Sequence, residues 1–163
     1  MTITLAPPRA KPAIVYPESD GKPMAETDAH RNLIIAILFA LEQRYQADPQ
    51  VYIAGNLLLY YEEGNPKASL APDAFVVFGV ARHERRIYRL WEEGKAPDVV
   101  FEFTSDSIQR EDLGRKRLRY VQLGVREYFI FDPLRDYLRP PLKGFRLTGQ
   151  YYAPLPDQPF GQD

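Results

Sequence analysis

The chain contains no cysteine, and only two histidines and one tryptophan stand among its 163 residues. The missing cysteine removes a disulfide framework, a thiolate zinc site and a cysteine nucleophile at once. It fits a reducing compartment. Two histidines without a G-x-S-x-G elbow argue against a serine-histidine triad. Neither the P-loop nor the dinucleotide pattern of glycines is present. An excess of one charge is lacking too: 21 basic residues face 22 acidic ones, a formal net charge of −1. No whole-molecule field therefore draws the chain to nucleic acid or to an anionic membrane, and any polyanion site must be local. The longest apolar run, Leu33 to Leu41, is nine residues, short of the ~20 needed to cross a bilayer. The N-terminal stretch lacks the cationic start and apolar segment of a secretory signal. These absences lead to the expectation of a cytoplasmic protein without a membrane partner.

What is present is the composition of one globular domain, 45% hydrophobic and 26% charged, in a chain long enough to bury a sizeable core. The 15 prolines are about twice average usage and gather at the two ends. Residues 1–26 read as a proline-rich arm, because each proline fixes φ and pushes its predecessor out of the helical region. Tyr16 and Val15 are the residues expected to dock it. Residues 27–149 read as the domain and 150–163 as a proline-rich tail.

Within the domain, Thr27 or Asp28 can cap a helix running to about Tyr45, apolar around most of its circumference and so expected to be buried on several sides. Asp48 and Pro49 end it, and VYIAGNLLLYY reads as a strand. Ala74 to Phe78 and Val99 to Phe103 read as buried central strands, separated by a short helix or surface excursion in RHERRIYRLWEEG. A helix from about Glu111 to Leu123 ends at Gly124, a C′ position. REYFIFDP supplies a further strand, and a hairpin is expected over 136–147 through Pro140-Pro141. The order implies an α/β fold, a central mixed sheet flanked by helices.

Glu102 stands out chemically, since a carboxylate inside an apolar strand asks for a cation or a proton. The plainer alternative is a strand-end glutamate paired with an arginine. Asp73, at the mouth of Ala74 to Phe78, is either an ordinary turn aspartate or its companion. Two carboxylates at the ends of neighbouring strands can converge on one hard cation such as Mg²⁺ or Mn²⁺. On the following helix Lys116 offers a mobile point charge for a water or a phosphate. The helical wheel leaves Arg117 as a rival for the inward position, in a sector with Leu113, Leu118, Tyr120 and Val121. Asp112, Lys116 and Tyr120 share one helix side. His30 has two readings, a reach into the same site or a satisfied buried histidine. His83 is expected in solvent. The dense basic stretches, Arg82, Arg85, Arg86 and Arg89 and then Arg115 to Arg119, are candidates for phosphate contacts.

The ordered string of these motifs resembles the restriction-endonuclease-like family of the PD-(D/E)XK nuclease superfamily. It comprises Ala71-Pro72-Asp73 opening a strand, Pro97-Asp98-Val99-Val100-Phe101-Glu102-Phe103-Thr104-Ser105, Asp112-x-x-x-Lys116-x-x-x-Tyr120-x-x-x-Gly124, and Glu127 to Pro133. The resemblance covers about residues 18–147. It implies a restriction-endonuclease-like fold and Mg²⁺-dependent hydrolysis of DNA phosphodiesters. Asp73 and Glu102 then fall on the family's acidic positions as metal ligands, with Thr104 as a further oxygen donor. Thr104 also stands where the superfamily pattern has lysine, and the lysine maps instead onto Lys116. Two readings follow: a metal-dependent endonuclease, or a silent nuclease-fold protein that holds DNA or self-associates. In either case Arg82, Arg85, Arg86, Arg115 and Arg119 are the DNA-contact candidates. Binding is expected to be weak and salt-sensitive, and the chain to form a homodimer.

Overall fold

The computed structural model describes residues 13–21, 27–104 and 110–156, with the side chains of 110–112 outside that description. Thr27 caps helix α1 (Asp28–Arg44), its hydroxyl accepting the His30 backbone N–H at 3.2 Å. Strand β1 (Val51–Ala54) follows, then β2 (Leu59–Tyr60), β3 (Ser69–Leu70), β4 (Ala74–Phe78) and β5 (Tyr88–Arg89). The rest of the chain forms α2 (Leu90–Glu93), β6 (Val99–Phe103), α3 (Arg110–Leu123), β7 (Glu127–Phe131), β8 (Leu142–Thr148) and β9 (Tyr151–Pro154).

Six strands form the main sheet in the order β1-β4-β6-β7-β8-β9. Every neighbouring pair is antiparallel except β6 and β7, which run parallel and are joined through α3. A crossover helix is what a parallel pair requires. The sheet is therefore mixed, and the α/β architecture is the one the element order implied. A smaller sheet, β3-β2-β5, completes the fold.

Register sorts the side chains onto two faces. Phe75, Val100, Tyr128 and Phe145 share one row across β4, β6, β7 and β8. This face, with Tyr52, Leu59, Tyr88, Tyr120 and Val125, forms the core under α3 and the small sheet. Fully burying one such side chain contributes roughly 1.5–3 kcal/mol. Several of these residues are tyrosines, and their hydroxyls are satisfied: Tyr88 donates to the Lys95 carbonyl at 2.8 Å and Tyr152 to that of Val125 at 2.8 Å. A buried phenol needs such a partner.

The structure departs from the sequence reading at several elements. Helix α1 buries one side only. His30, Ile34 and the partly buried Leu33, Ile37, Leu38 and Leu41 follow helical spacing toward the sheet, while Ile35 and Phe39 are exposed. VYIAGNLLLYY is two strands in two sheets, broken at Gly55-Asn56, where Asn56 takes φ 49°. In RHERRIYRLWEEG, β5 precedes a single helical turn. The final hairpin is displaced: β8 turns into β9 through Gly149, at φ 62°, and not through Pro140-Pro141. Residues 151–154 thus extend the main sheet beyond position 149. In the N-terminal stretch Tyr16 does dock, accepting the Gly64 N–H at 2.7 Å and packing edge-on against Tyr60, whereas Val15 is exposed. Leu118, placed in the apolar sector of α3 by the wheel, is exposed as well.

Candidate active site

Antiparallel pairing of β4 and β6 sets Phe75 opposite Val100 and Ala74 opposite Phe101. One further step along that register brings Asp73 opposite Glu102. The Asp73 carboxylate accepts the Phe103 backbone N–H at 2.7 Å through Oδ2, and its Oδ1 lies 3.2 Å from His30 Nε2. The capped start of α1 therefore holds Asp73 from above, and β6 holds it from the side. Gly55 makes room for this approach: a Cβ there would sit 2.6 Å from Leu38 Cδ1 and 3.1 Å from the Asp73 carbonyl oxygen.

Glu102 is 1% exposed. Lys116 Nζ reaches both of its oxygens, at 3.3 and 3.2 Å, and also the Ala71 carbonyl at 3.4 Å. Tyr120, one turn further along α3, donates its hydroxyl to Glu102 Oε1 at 2.6 Å. Lys116 and Tyr120 are at i and i+4, so α3 presents both to the same carboxylate. Burial pushes the Glu102 carboxyl up to about 7; the Lys116 charge opposes that rise, and the nearby Asp73 charge adds to it. Burial, reinforced by the Glu102 charge, holds the Tyr120 phenol well above its ordinary value, so it remains a donor.

Arg117 does not compete for this position. Its guanidinium lies 4.0 Å from the centre of the Phe145 ring on β8. Thr104 is buried just beyond Glu102, and its backbone N–H donates to the Phe131 carbonyl at 2.8 Å. Its hydroxyl is turned toward the Asp132 carboxylate without meeting full hydrogen-bond geometry. The Asp112 side chain and residues 105–109 lie outside the described residues.

The basic stretches are placed differently from one another. Arg85 is buried, makes two hydrogen bonds to Glu93 at 2.7 and 3.0 Å, and lies 4.1 Å over the Tyr52 ring. Arg82 donates to the carbonyls of Val51 and Tyr45, and Arg86 pairs with Glu18 at 2.7 Å. These three are engaged within the molecule. Arg115 is exposed on α3, and Arg119 lies over the Tyr61 ring. His83 is exposed, as its neighbours suggested. A search by local density of basic residues passes over Arg139 and Lys143, which are apart in sequence but adjoin Arg117 in space.

Oxygen donors dominate the site. Among the described residues no three His, Asp or Glu side chains cluster in a way that could hold a metal. Two carboxylates remain, and each oxygen has two acceptor directions, so Asp73 and Glu102 keep acceptor capacity beside Thr104. Such a sparse all-oxygen set suits a hard cation that retains several waters.

A mixed sheet with a helix-bridged parallel pair, and an aspartate just before β4 set opposite a glutamate within β6, define an α/β protein with two acids at the sheet centre. The chain belongs to the Uma2 family, described as "Putative restriction endonuclease", whose profile matches residues 6–162. A crystal structure from Anabaena variabilis, described as "a putative nuclease belonging to DUF820", superposes with a TM-score of 0.62 at 17% identity. The match covers 88% of this chain and 77% of that one. No curated protein matches. Among the described residues no helix is long and apolar enough to cross a membrane.

Proposed function

We propose that the protein is a metal-dependent endonuclease that hydrolyses DNA phosphodiester bonds, with Asp73, Glu102 and Lys116 as its central residues. The observation that carries this reading is the convergence on one buried carboxylate of a lysine and a tyrosine from helix α3 and of a second carboxylate from the start of β4. Here the Asp73 charge opposes ionisation of Glu102, and a divalent cation is the species that relieves both.

Asp73, Glu102 and a Thr104 oxygen would hold Mg²⁺ or Mn²⁺, which when bound supplies positive charge for the phosphate and makes water a better nucleophile. The chain's own residues do the rest. His30 and the Phe103 N–H fix the Asp73 carboxylate. Tyr120 fixes the orientation of Glu102. Lys116, whose side chain is 19% exposed, keeps a cation at the edge of the buried pair, where it can hold an attacking water or stabilise charge developing on a phosphate oxygen. The reaction class is in-line displacement at phosphorus.

Incubation of supercoiled plasmid and single-stranded DNA with Mg²⁺ or Mn²⁺ tests this reading, comparing the natural chain with Glu102→Gln. Cleavage by the former and a loss of about 100-fold or more in the variant, with circular dichroism unchanged, is the expected result. Equal cleavage by both proteins overturns the assignment.

A further inference from the structure

Arg117 of α3, Arg139 of the β7–β8 connection and Lys143 of β8 line one open pocket of about 680 Å³, together with Phe145, Pro140 and Pro154. Among the described residues no carboxylate lines it. This gathering contrasts with the arginines elsewhere on the fold, where Arg31, Arg85, Arg86, Arg89 and Arg146 each meet an acid. Among the described residues, no ion pair to a carboxylate engages Arg117, Arg139 or Lys143.

Arg117 and Arg139 are held in place by something other than an acid. The Arg117 guanidinium lies over the Phe145 ring, 4.0 Å from its centre, a contact that uses no N–H donor. Arg139 donates to the carbonyls of Arg135 and Leu138. The segment carrying it is pinned by Asp132, a buried carboxylate that accepts the backbone N–H groups of Tyr137 and Leu138. Lys143 pairs with Ile130 in the sheet, and Ile130 with Glu102, so all three share one face of β8, β7 and β6. At ~4.8 Å per strand, the Lys143 and Glu102 backbones are ~10 Å apart. Like charges brought together without acids repel one another, and an anion relieves this.

We infer that this pocket, on the far side of α3 from Glu102, binds backbone phosphates of a nucleic-acid strand. The inference rests on the nuclease reading for the identity of the polyanion. The pocket is open and shaped by proline walls and one aromatic ring, which suits a strand passing through it. Arg139 and Lys143 make the phosphate contacts together with Arg117.

Fluorescence anisotropy of a labelled duplex, titrated in chelator at several salt concentrations, tests this without requiring cleavage. Lys143→Gln and Arg139→Gln are each expected to weaken binding and to lower the slope of log K against log salt by about 0.9. Arg146→Gln, on β8 but paired with Glu127, is the control and should match the natural chain. Unchanged affinity and slope in both pocket variants, or no duplex binding by the natural chain at low salt, overturns the inference. Competition with inorganic phosphate separates the sources. If Lys143→Gln loses phosphate binding but keeps the full duplex slope, the pocket serves free phosphate and the strand assignment fails. The two readings fail separately: plasmid cutting with an unchanged salt slope refutes only the pocket, and pocket-dependent binding without cutting refutes only the nuclease.

Discussion

Lys116 Nζ lies 3.2 and 3.3 Å from the two carboxylate oxygens of Glu102, bridging a strand interior and the middle of the helix that follows it. A cation thus meets an acid that would be costly to leave alone in the core. The same contact joins the sheet to α3 and supplies the positive charge at the candidate site.

Glu102 makes stability depend on pH in a definite direction. Its carboxyl releases a proton near 4.5 in the unfolded chain and near 7 in the folded one. The folded state therefore binds more protons between these values. The contribution of this group is fully present below about 4.5 and is lost as pH rises through about 7, a total of roughly 3 kcal/mol. Urea midpoints of the natural chain and Glu102→Gln, measured in chelator from pH 4 to 8, should show the natural chain losing ground with rising pH. Saturating Mg²⁺ should flatten the difference, because a bound cation favours the ionised carboxylate. A difference independent of pH in chelator would show that the acid is not held near 7.

Removing only the lysine leaves a buried acid uncompensated. Lys116→Met is expected to cost about 3 kcal/mol. Adding Glu102→Gln to it should cost much less than the sum of the two single changes, because the charges are in contact. A double-mutant cycle by chemical denaturation measures this, and strict additivity would count against a working ion pair.

Gly55 is where backbone space controls the position of Asp73. A methyl group there meets Leu38 Cδ1, which can turn aside, and the Asp73 carbonyl, which is backbone and yields less readily. Gly55→Ala is expected to destabilise the fold by about 1–3 kcal/mol and to reduce cleavage by more than its loss of folded protein explains. Activity per folded molecule equal to that of the natural chain would show that the Asp73 position tolerates the shift.

Arg85 should behave as a structural residue and not as a DNA contact. It is buried between Glu93 and the Tyr52 ring, so Arg85→Ala leaves Glu93 without its partner and is expected to cost about 3 kcal/mol. At temperatures where the variant remains folded, duplex affinity and its salt slope should be unchanged. A reduced slope would return Arg85 to the binding surface.

The sequence by itself determined the local elements and the types of residue available for chemistry. A carboxylate in Val99 to Phe103, an aspartate before Ala74 to Phe78 and a lysine four residues before Tyr120 are visible because strand and helix periods are local properties. The α/β class was legible for the same reason, as was the cap at Thr27. Other features depend on what lies opposite. Whether Lys116 or Arg117 points inward was open on the wheel, and the proximity of Phe145, brought to α3 by the β7–β8 pairing, decided it. Whether Arg85 was solvated was settled by Glu93 and Tyr52. Helix α1 looked buried on several sides because its composition is apolar all round, yet only one sheet face covers it. Tertiary structure also brought Arg117 to Arg139 and Lys143, more than twenty residues away in the chain, around one pocket. Register and burial are set by long-range pairing, and a linear reading does not contain the partner strand.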